Sequence, residues 1–370
     1  MNIPRCSLSV WKNLYDAADA FREIACWDWM SDADVFGVQN PRGGEIGYCC
    51  VLGEFGEVFG LVVYLGSAGL EQHRKIQSGK IHARSPDAAY NQNCLTVWFG
   101  GRSDLDKNDL KVVKDLERKF RGGDAWPQFR SMQPGYIPWY LTEDEAKFLT
   151  LCLAQARQVA LRFGKDPNCL TAPGKNLYLV RVPKQKTDSR SVAKTSGASV
   201  APGQQTLFPE AVEAPEFEWD SQWLPPAPLV KPAVRPVPLD ELRLQRIKKA
   251  SQGHRGIWEI DAFFTPSPVD NGDRPFLPFT LLCAERDSGM ILGTVLAEVK
   301  TWETEFAKAF LESVEQHKII PHKLSLRKDD LRQLLAPVAG QLGIEIELTK
   351  KLAAVDRAKR GLLKFMEGRL

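Results

Sequence analysis

The feature that most constrains this 370-residue chain is a proline-rich stretch between Pro183 and Pro238. Ten of the chain's 24 prolines fall there, and Lys184 to Ser199 is basic, small and polar. Such a composition buries too little apolar surface to order itself. The run Pro225-Pro226-Ala227-Pro228, followed by Pro232, Pro236 and Pro238, favours extended polyproline II. The stretch therefore divides the chain into an N-terminal domain (1–182), a flexible linker (183–238) and a C-terminal domain (239–370). Trp219 and Trp223 are out of character for a linker and point to docking on a domain.

Composition fits two globular domains. Hydrophobic residues are 44% and charged residues 26%, and the net charge is only +3, too little for a general nucleic-acid coat. No segment approaches the roughly 20 apolar residues of a membrane helix. The first residues lack the apolar core of a secretory signal. The eight cysteines contain no CxxC pair, and the five histidines are scattered. Reduced, buried thiols and a cytoplasmic location are the expectation.

In the N-terminal half, Trp11, Leu14, Tyr15, Ala18, Phe21 and Ile24 have helical spacing. Runs at 45–52, 58–65, 95–99 and 177–182 read as strands, with Gly53-Glu54-Phe55-Gly56 as a hairpin turn. Lys107 to Phe120 reads as an amphipathic helix. Thr142 with Glu145 forms a capping box that opens a longer one. The expected class is α+β. Its six tryptophans read first as core packing and second as a ligand wall, with Trp27 and Trp29 sharing one face of an extended segment.

In the C-terminal half, strands at 258–264, 279–285, 290–299, 323–327 and 344–348 alternate late with helices at 303–317, 329–342 and 349–366. A leading hairpin followed by helical crossovers predicts an α/β fold with a mixed sheet. The order resembles the ribonuclease H and retroviral-integrase superfold over roughly 258–366. That resemblance implies a cluster of acids holding two magnesium ions for phosphodiester hydrolysis. The residues able to stand in are Glu285, Asp329 and Asp356. Each also has a plain structural reading: a turn, a helix start and a pair with Arg360. No metal or other cofactor is expected outside the nuclease reading.

The whole chain also resembles a group of bacterial two-domain proteins to which no activity is assigned. The resemblance is carried by Trp27-Asp28-Trp29, Phe36-Gly37-Val38, Pro138-Trp139-Tyr140 and Arg274-Pro275-Phe276, among others.

Two binding elements complete the reading. Lys350, Arg357, Arg360 and Lys364 fall on one face of the last helix, opposite Leu352, Val355, Leu362 and Met366. They are candidates for contact with nucleic-acid phosphates, or simply a solvated face. Within the linker, Gln204-Gln205-Thr206-Leu207-Phe208 resembles the pentapeptide that binds the bacterial DNA sliding clamp. In that motif Gln204 supplies hydrogen bonds while Leu207 and Phe208 fill an apolar cleft. No GxSxG, HExxH or phosphate-loop motif is present. The leading expectation is a non-catalytic interaction protein, with a divergent metal-dependent nuclease as the alternative.

Overall fold

The computed structural model describes residues 3–54, 56, 58–82, 86–185, 217–230 and 233–367. They form two mixed sheets flanked by helices.

The first half runs α1 (Leu8–Arg22), β1 (Phe36–Gln39), β2 (Ile46–Leu52), β3 (Phe59–Leu65), α2 (Gly66–Gln77), α3 (Pro86–Tyr90), β4 (Cys94–Gly100), α4 (Lys107–Asp115), β5 (Trp126–Met132), α5 (Glu143–Phe163), β6 (Tyr178–Gln185) and β7 (Phe217–Leu224). The seven strands lie in the order β5-β4-β3-β2-β1-β6-β7. Only β1 and β6 are parallel neighbours. The central strands are buried on both faces because both are covered. Cys49, Val51, Leu61 and Val63 pack with residues of α1 and α5. Cys50, Tyr48, Val62 and Tyr64 pack with Leu70 of α2 on the other side. The adjacent cysteines thus enter different cores, as the two-residue strand period requires. Gly60 permits the close approach of β3 to β4, since a Cβ there would lie 2.2 Å from the Val97 carbonyl oxygen.

The capping box forms as expected: Thr142 Oγ1 accepts from the Glu145 amide at 3.3 Å, and Glu145 Oε2 accepts from the Thr142 amide at 2.8 Å. Two local expectations change. α4 stops at Asp115 because Glu117 takes a left-handed φ of 55°. Residues 26–28 form a 3-10 turn, so Trp27 and Trp29 do not share an extended face. Trp27 packs against Phe59 and Phe99, while Trp29 is exposed and donates to the Ala160 carbonyl.

The stretch expected to be a flexible linker contains structure. β7 lies within it and pairs with β6 along its length, from Tyr178↔Leu224 to Gln185↔Phe217. Trp219 and Trp223 pack against the first core. Further on, Val234 and Val237 pack against the second core, and Arg235 pairs with buried Glu303 at 3.1 Å. Gln204, Leu207 and Phe208 lie outside the described residues.

The second half runs α6 (Glu241–Ala250), β8 (Ile257–Phe264), β9 (Phe279–Glu285), β10 (Ile291–Ala297), α7 (Trp302–His317), β11 (Lys323–Leu326), α8 (Asp329–Leu342), β12 (Glu345–Leu348) and α9 (Ala353–Glu367). Its sheet order is β10-β9-β8-β11-β12, with β8, β11 and β12 parallel and the hairpin strands antiparallel. Gly343, at φ 70°, caps α8, and α8 runs through Pro337 as one helix. α6, α7 and α8 supply one core with β8, β9 and β11, while α9 covers the other face.

The two halves meet at residues 131–139. Tyr136 bridges Phe276, and Leu277 donates to the Gly135 carbonyl at 2.8 Å. Arg274 donates from Nε to the Ile137 carbonyl at 3.0 Å and from Nη2 to the Ser131 carbonyl at 2.6 Å. Burial pushes its guanidinium down to about 10. The Arg274-Pro275-Phe276 and Pro138-Trp139-Tyr140 motifs therefore sit at this junction. Among the described residues, no helix is long and apolar enough to cross a membrane.

Candidate functional site

β8 has the sequence Ile257-Trp-Glu-Ile-Asp-Ala-Phe-Phe264. Its alternation sends Trp258, Ile260 and Ala262 into the core beneath α7 and α8. Glu259 and Asp261 take the opposite parity, under α9, and each is only 2% exposed. Two carboxylates in the middle of a central strand need partners, because an unpaired buried charge is costly.

Glu259 is held from two directions. Its Oε2 accepts the Ala354 and Val355 amides at 2.8 and 3.3 Å, at the start of α9. The helix N-terminus, with its unsatisfied amides and positive dipole end, is suited to an anion. Its Oε1 accepts from Arg286 Nε at 3.2 Å, and Arg286 Nη2 reaches Ser325 Oγ at 2.5 Å. Ser325 is the register partner of Glu259 on β11.

Asp261 is paired with Arg327, just beyond β11. Arg327 Nη1 lies 2.7 Å from Asp261 Oδ2, and its Nη2 lies 2.8 and 2.9 Å from the two oxygens of Asp356 on α9. Burial alone would lower the Arg327 guanidinium. Hydrogen bonding to Asp356 and the charges of Asp261 and Asp356 outweigh it and raise it. Asp261 Oδ1 accepts the Ala262 amide at 2.9 Å. All six oxygens of Glu259, Asp261 and Asp356 thus accept bonds from protein donors.

The three acids expected to form a metal cluster have separate surroundings. Glu285 ends β9 and closes the following turn, accepting the Ser288 amide and hydroxyl, each at 2.6 Å. Its carboxyl is lowered: burial opposes ionisation, but the Ser288 and Asp287 hydrogen bonds prevail. Asp329 is the first residue of α8 and holds Arg332 and Gln333, each at 2.7 Å, while the N-cap is Lys328. Asp356 pairs with Arg327 rather than Arg360. Among the described residues, no group of three or more His, Cys, Asp or Glu is placed to hold a metal ion.

Of the expected acids, only Asp356 belongs to the network. The sheet order makes β8, not the strand that ends at Glu285, the central strand, so the buried acids are Glu259 and Asp261, whose signal in the sequence is two acids at alternate positions of an apolar run. The expected basic residues are all exposed. Arg357, Arg360 and Lys364 lie on α9, whereas Lys350 precedes it. Arg327 Nη2 also donates to the Lys350 carbonyl at 3.3 Å.

A cleft of about 500 Å³ opens in the N-terminal half beside Val10, Arg42, Asp144, Lys147, Phe217 and Trp219. None of the six tryptophans of residues 1–182 lines it, and its aromatic wall is Phe148 of α5 with Phe217 and Trp219 of β7. Arg42 and Asp144 pair with each other at 3.2 Å.

Comparison with known proteins gives two family matches. Residues 11–181 match the model of a domain of unknown function (DUF7309), and residues 243–363 match that of another domain of unknown function (DUF6930). No curated protein matches the chain. Among solved structures, the catalytic core domain of BIV integrase is similar at 15% identity and a TM-score of 0.24. The match covers 30% of this chain and 67% of that one. The HTLV-2 integrase catalytic core domain, in complex with magnesium, matches at 15% identity and a TM-score of 0.23. It covers 32% of this chain and 73% of that one.

Proposed function

We propose that the chain is a non-catalytic interaction module whose C-terminal half has a ribonuclease-H-like arrangement with an acidic centre turned into internal scaffolding. The carrying observation is that every oxygen of Glu259, Asp261 and Asp356 accepts a bond from the protein itself. A two-metal hydrolase needs carboxylate oxygens that converge on cations about 4 Å apart. Here Arg286 and Arg327 supply the positive charge instead. The divergent-nuclease alternative is correspondingly disfavoured.

The test is hydrolysis of single-stranded DNA, RNA and an RNA–DNA hybrid with magnesium or manganese. No turnover is expected from the wild-type chain. Metal-dependent cleavage that disappears in both Glu259→Gln and Asp261→Asn would overturn the proposal.

A second reading concerns recruitment to the sliding clamp. Gln185 and Phe217 are register partners. The 31 residues 186–216, which contain Gln204, Leu207 and Phe208, therefore connect neighbouring strands of one sheet. This makes the peptide an insertion at a sheet edge rather than part of an interdomain tether. Capture by immobilised clamp should be lost in Leu207→Ala/Phe208→Ala. Equal capture of both proteins, or of neither, removes this reading.

A further inference from the structure

The small net charge of the chain hides a strong segregation. Residues 349–370 hold seven Lys or Arg and two acids, which leaves 42 cationic and 44 acidic side chains in residues 1–348. The body of the protein is therefore net negative, and its positive excess is gathered at α9. Such asymmetry points to a polyanionic partner, which the net charge of the whole chain conceals.

The fold turns that excess outward. Leu352, Val355, Ala358 and Leu362, on or just before α9, pack against the sheet. Arg357, Arg360 and Lys364 recur three and four residues apart, so they share the opposite face, and all three are exposed. The other positions of this face, Ala353 and Gly361, are exposed too, and a Cβ at Gly361 would meet nothing within 4 Å. Asp356 is drawn away by Arg327, and none of the three cations makes an ion pair among the described residues.

We infer that this face of α9 binds the phosphate backbone of a nucleic-acid duplex without reading its bases. At 1.5 Å per residue the three cations span about 10 Å. That length of duplex carries roughly six phosphates on its two strands. Charge alone admits several polyanions, and the rest of the face selects among them. Phosphate contacts need only cations and polar donors, whereas a protein partner needs apolar anchors. Ala353 and Gly361 offer none. A single strand needs rings on which its bases stack. Phe365, the exposed ring of α9, instead lines a cleft beside Leu296. An anionic membrane binds helices that insert an apolar face, and the apolar face of α9 is committed to the sheet.

This inference rests on the interaction-module reading and names a partner for it. The full chain is titrated into a fluorescein-labelled DNA duplex of about 20 base pairs, at roughly 50 to 200 mM salt, followed by anisotropy. Three phosphate contacts give a slope of about −2.7 in log affinity against log salt, a loss of about 40-fold over that range. Arg357→Glu/Arg360→Glu/Lys364→Glu should abolish binding, and Arg360→Gln alone should flatten the slope by about 0.9. Lys12→Glu/Lys111→Glu/Lys308→Glu makes the same change in net charge at exposed positions elsewhere and should bind as wild type does. All these variants change exposed side chains, so circular dichroism should match wild type. Binding that survives the α9 triple variant, or that is lost equally in the distant one, overturns the inference. So does tighter binding of a single strand, of polyglutamate or of phosphatidylglycerol vesicles than of the duplex. A chain that binds no duplex and hydrolyses nothing loses this inference and keeps the module reading. One that binds the duplex and cleaves nucleic acid keeps the cationic face and loses the module reading.

Discussion

The two sheets of this protein are built alike and filled differently. Each is mixed, each has helices on both faces, and each buries its central strands. In the N-terminal sheet the middle of β2 is Tyr48, Cys49, Cys50 and Val51, and all four are packed in apolar cores. In the C-terminal sheet the middle strand β8 carries Glu259 and Asp261 at comparable burial. One sheet relies on apolar contact, which is non-directional and tolerant of small shifts. The other relies on an ion network in which geometry matters and each member depends on the rest. A buried network of this kind adds little net stability compared with an apolar core, yet losing one member is expensive.

That contrast can be broken most directly at Arg327. Arg327→Ala leaves Asp261 and Asp356 without their shared cation, and a loss of about 3–5 kcal/mol is expected. Urea unfolding measures it. The triple variant Arg327→Leu/Asp261→Asn/Asp356→Asn should recover most of the loss, because the stranded charges go with the arginine. A single-variant loss below about 1 kcal/mol, the range of exposed pairs, would show that the network is ornamental.

The apolar half has its own weakness, at high pH. Burial pushes Cys26 and Cys94 from 9.0 up to about 12. Burial likewise raises Tyr48 from 10.0 to about 12. The unfolded chain gives up these protons first as pH rises. Stability should therefore be unaffected by these groups below pH 9 and fall between about 9 and 12. Each thiol contributes on the order of 1.4 kcal/mol per pH unit in that window. Hydrogen exchange at pH 7 and 10 should show protection lost in β2 and β4 before β8. Loss in the reverse order would place the alkaline weakness in the C-terminal half, where burial raises Cys283 on β9 in the same way.

The smallest effect separates local from tertiary stabilisation. Thr142→Ala removes one half of the α5 capping box and should cost about 1 kcal/mol. Thermal unfolding checks it, and Thr142→Ser should restore wild-type stability. If the alanine variant were neutral, packing of α5 on the sheet would dominate and the cap would be redundant.

Local patterns carried much of this architecture. The helical spacing from Trp11 to Phe21, the Thr142 and Glu145 cap, and the glycine end of α8 are interactions among near neighbours, so the sequence displays them directly, whereas Ile24 falls in the turn after α1. The C-terminal element order was legible for the same reason: alternating strands and amphipathic helices have different periods. β7 was not legible, because charged residues and prolines around it argue against a strand. Its order comes from pairing with β6, whose partner residues lie about 40 positions away in sequence. The site failed for a related reason. Strand order decides which strand is central, and that order is a long-range property.

The proline-rich stretch shows where the division lies. By itself the sequence determined that this region could not form a core of its own, since too few apolar side chains are there to offset the entropy of ordering it. Only the tertiary structure decided that 217–224 would be a strand, because β6 offered an unpaired edge and the first core offered a place for Trp219 and Trp223. The same holds for the buried acids. The sequence placed Glu259 and Asp261 on one face of β8, and the fold chose their partners, bringing Arg286, Arg327 and the start of α9 to carboxylates that could not be buried alone.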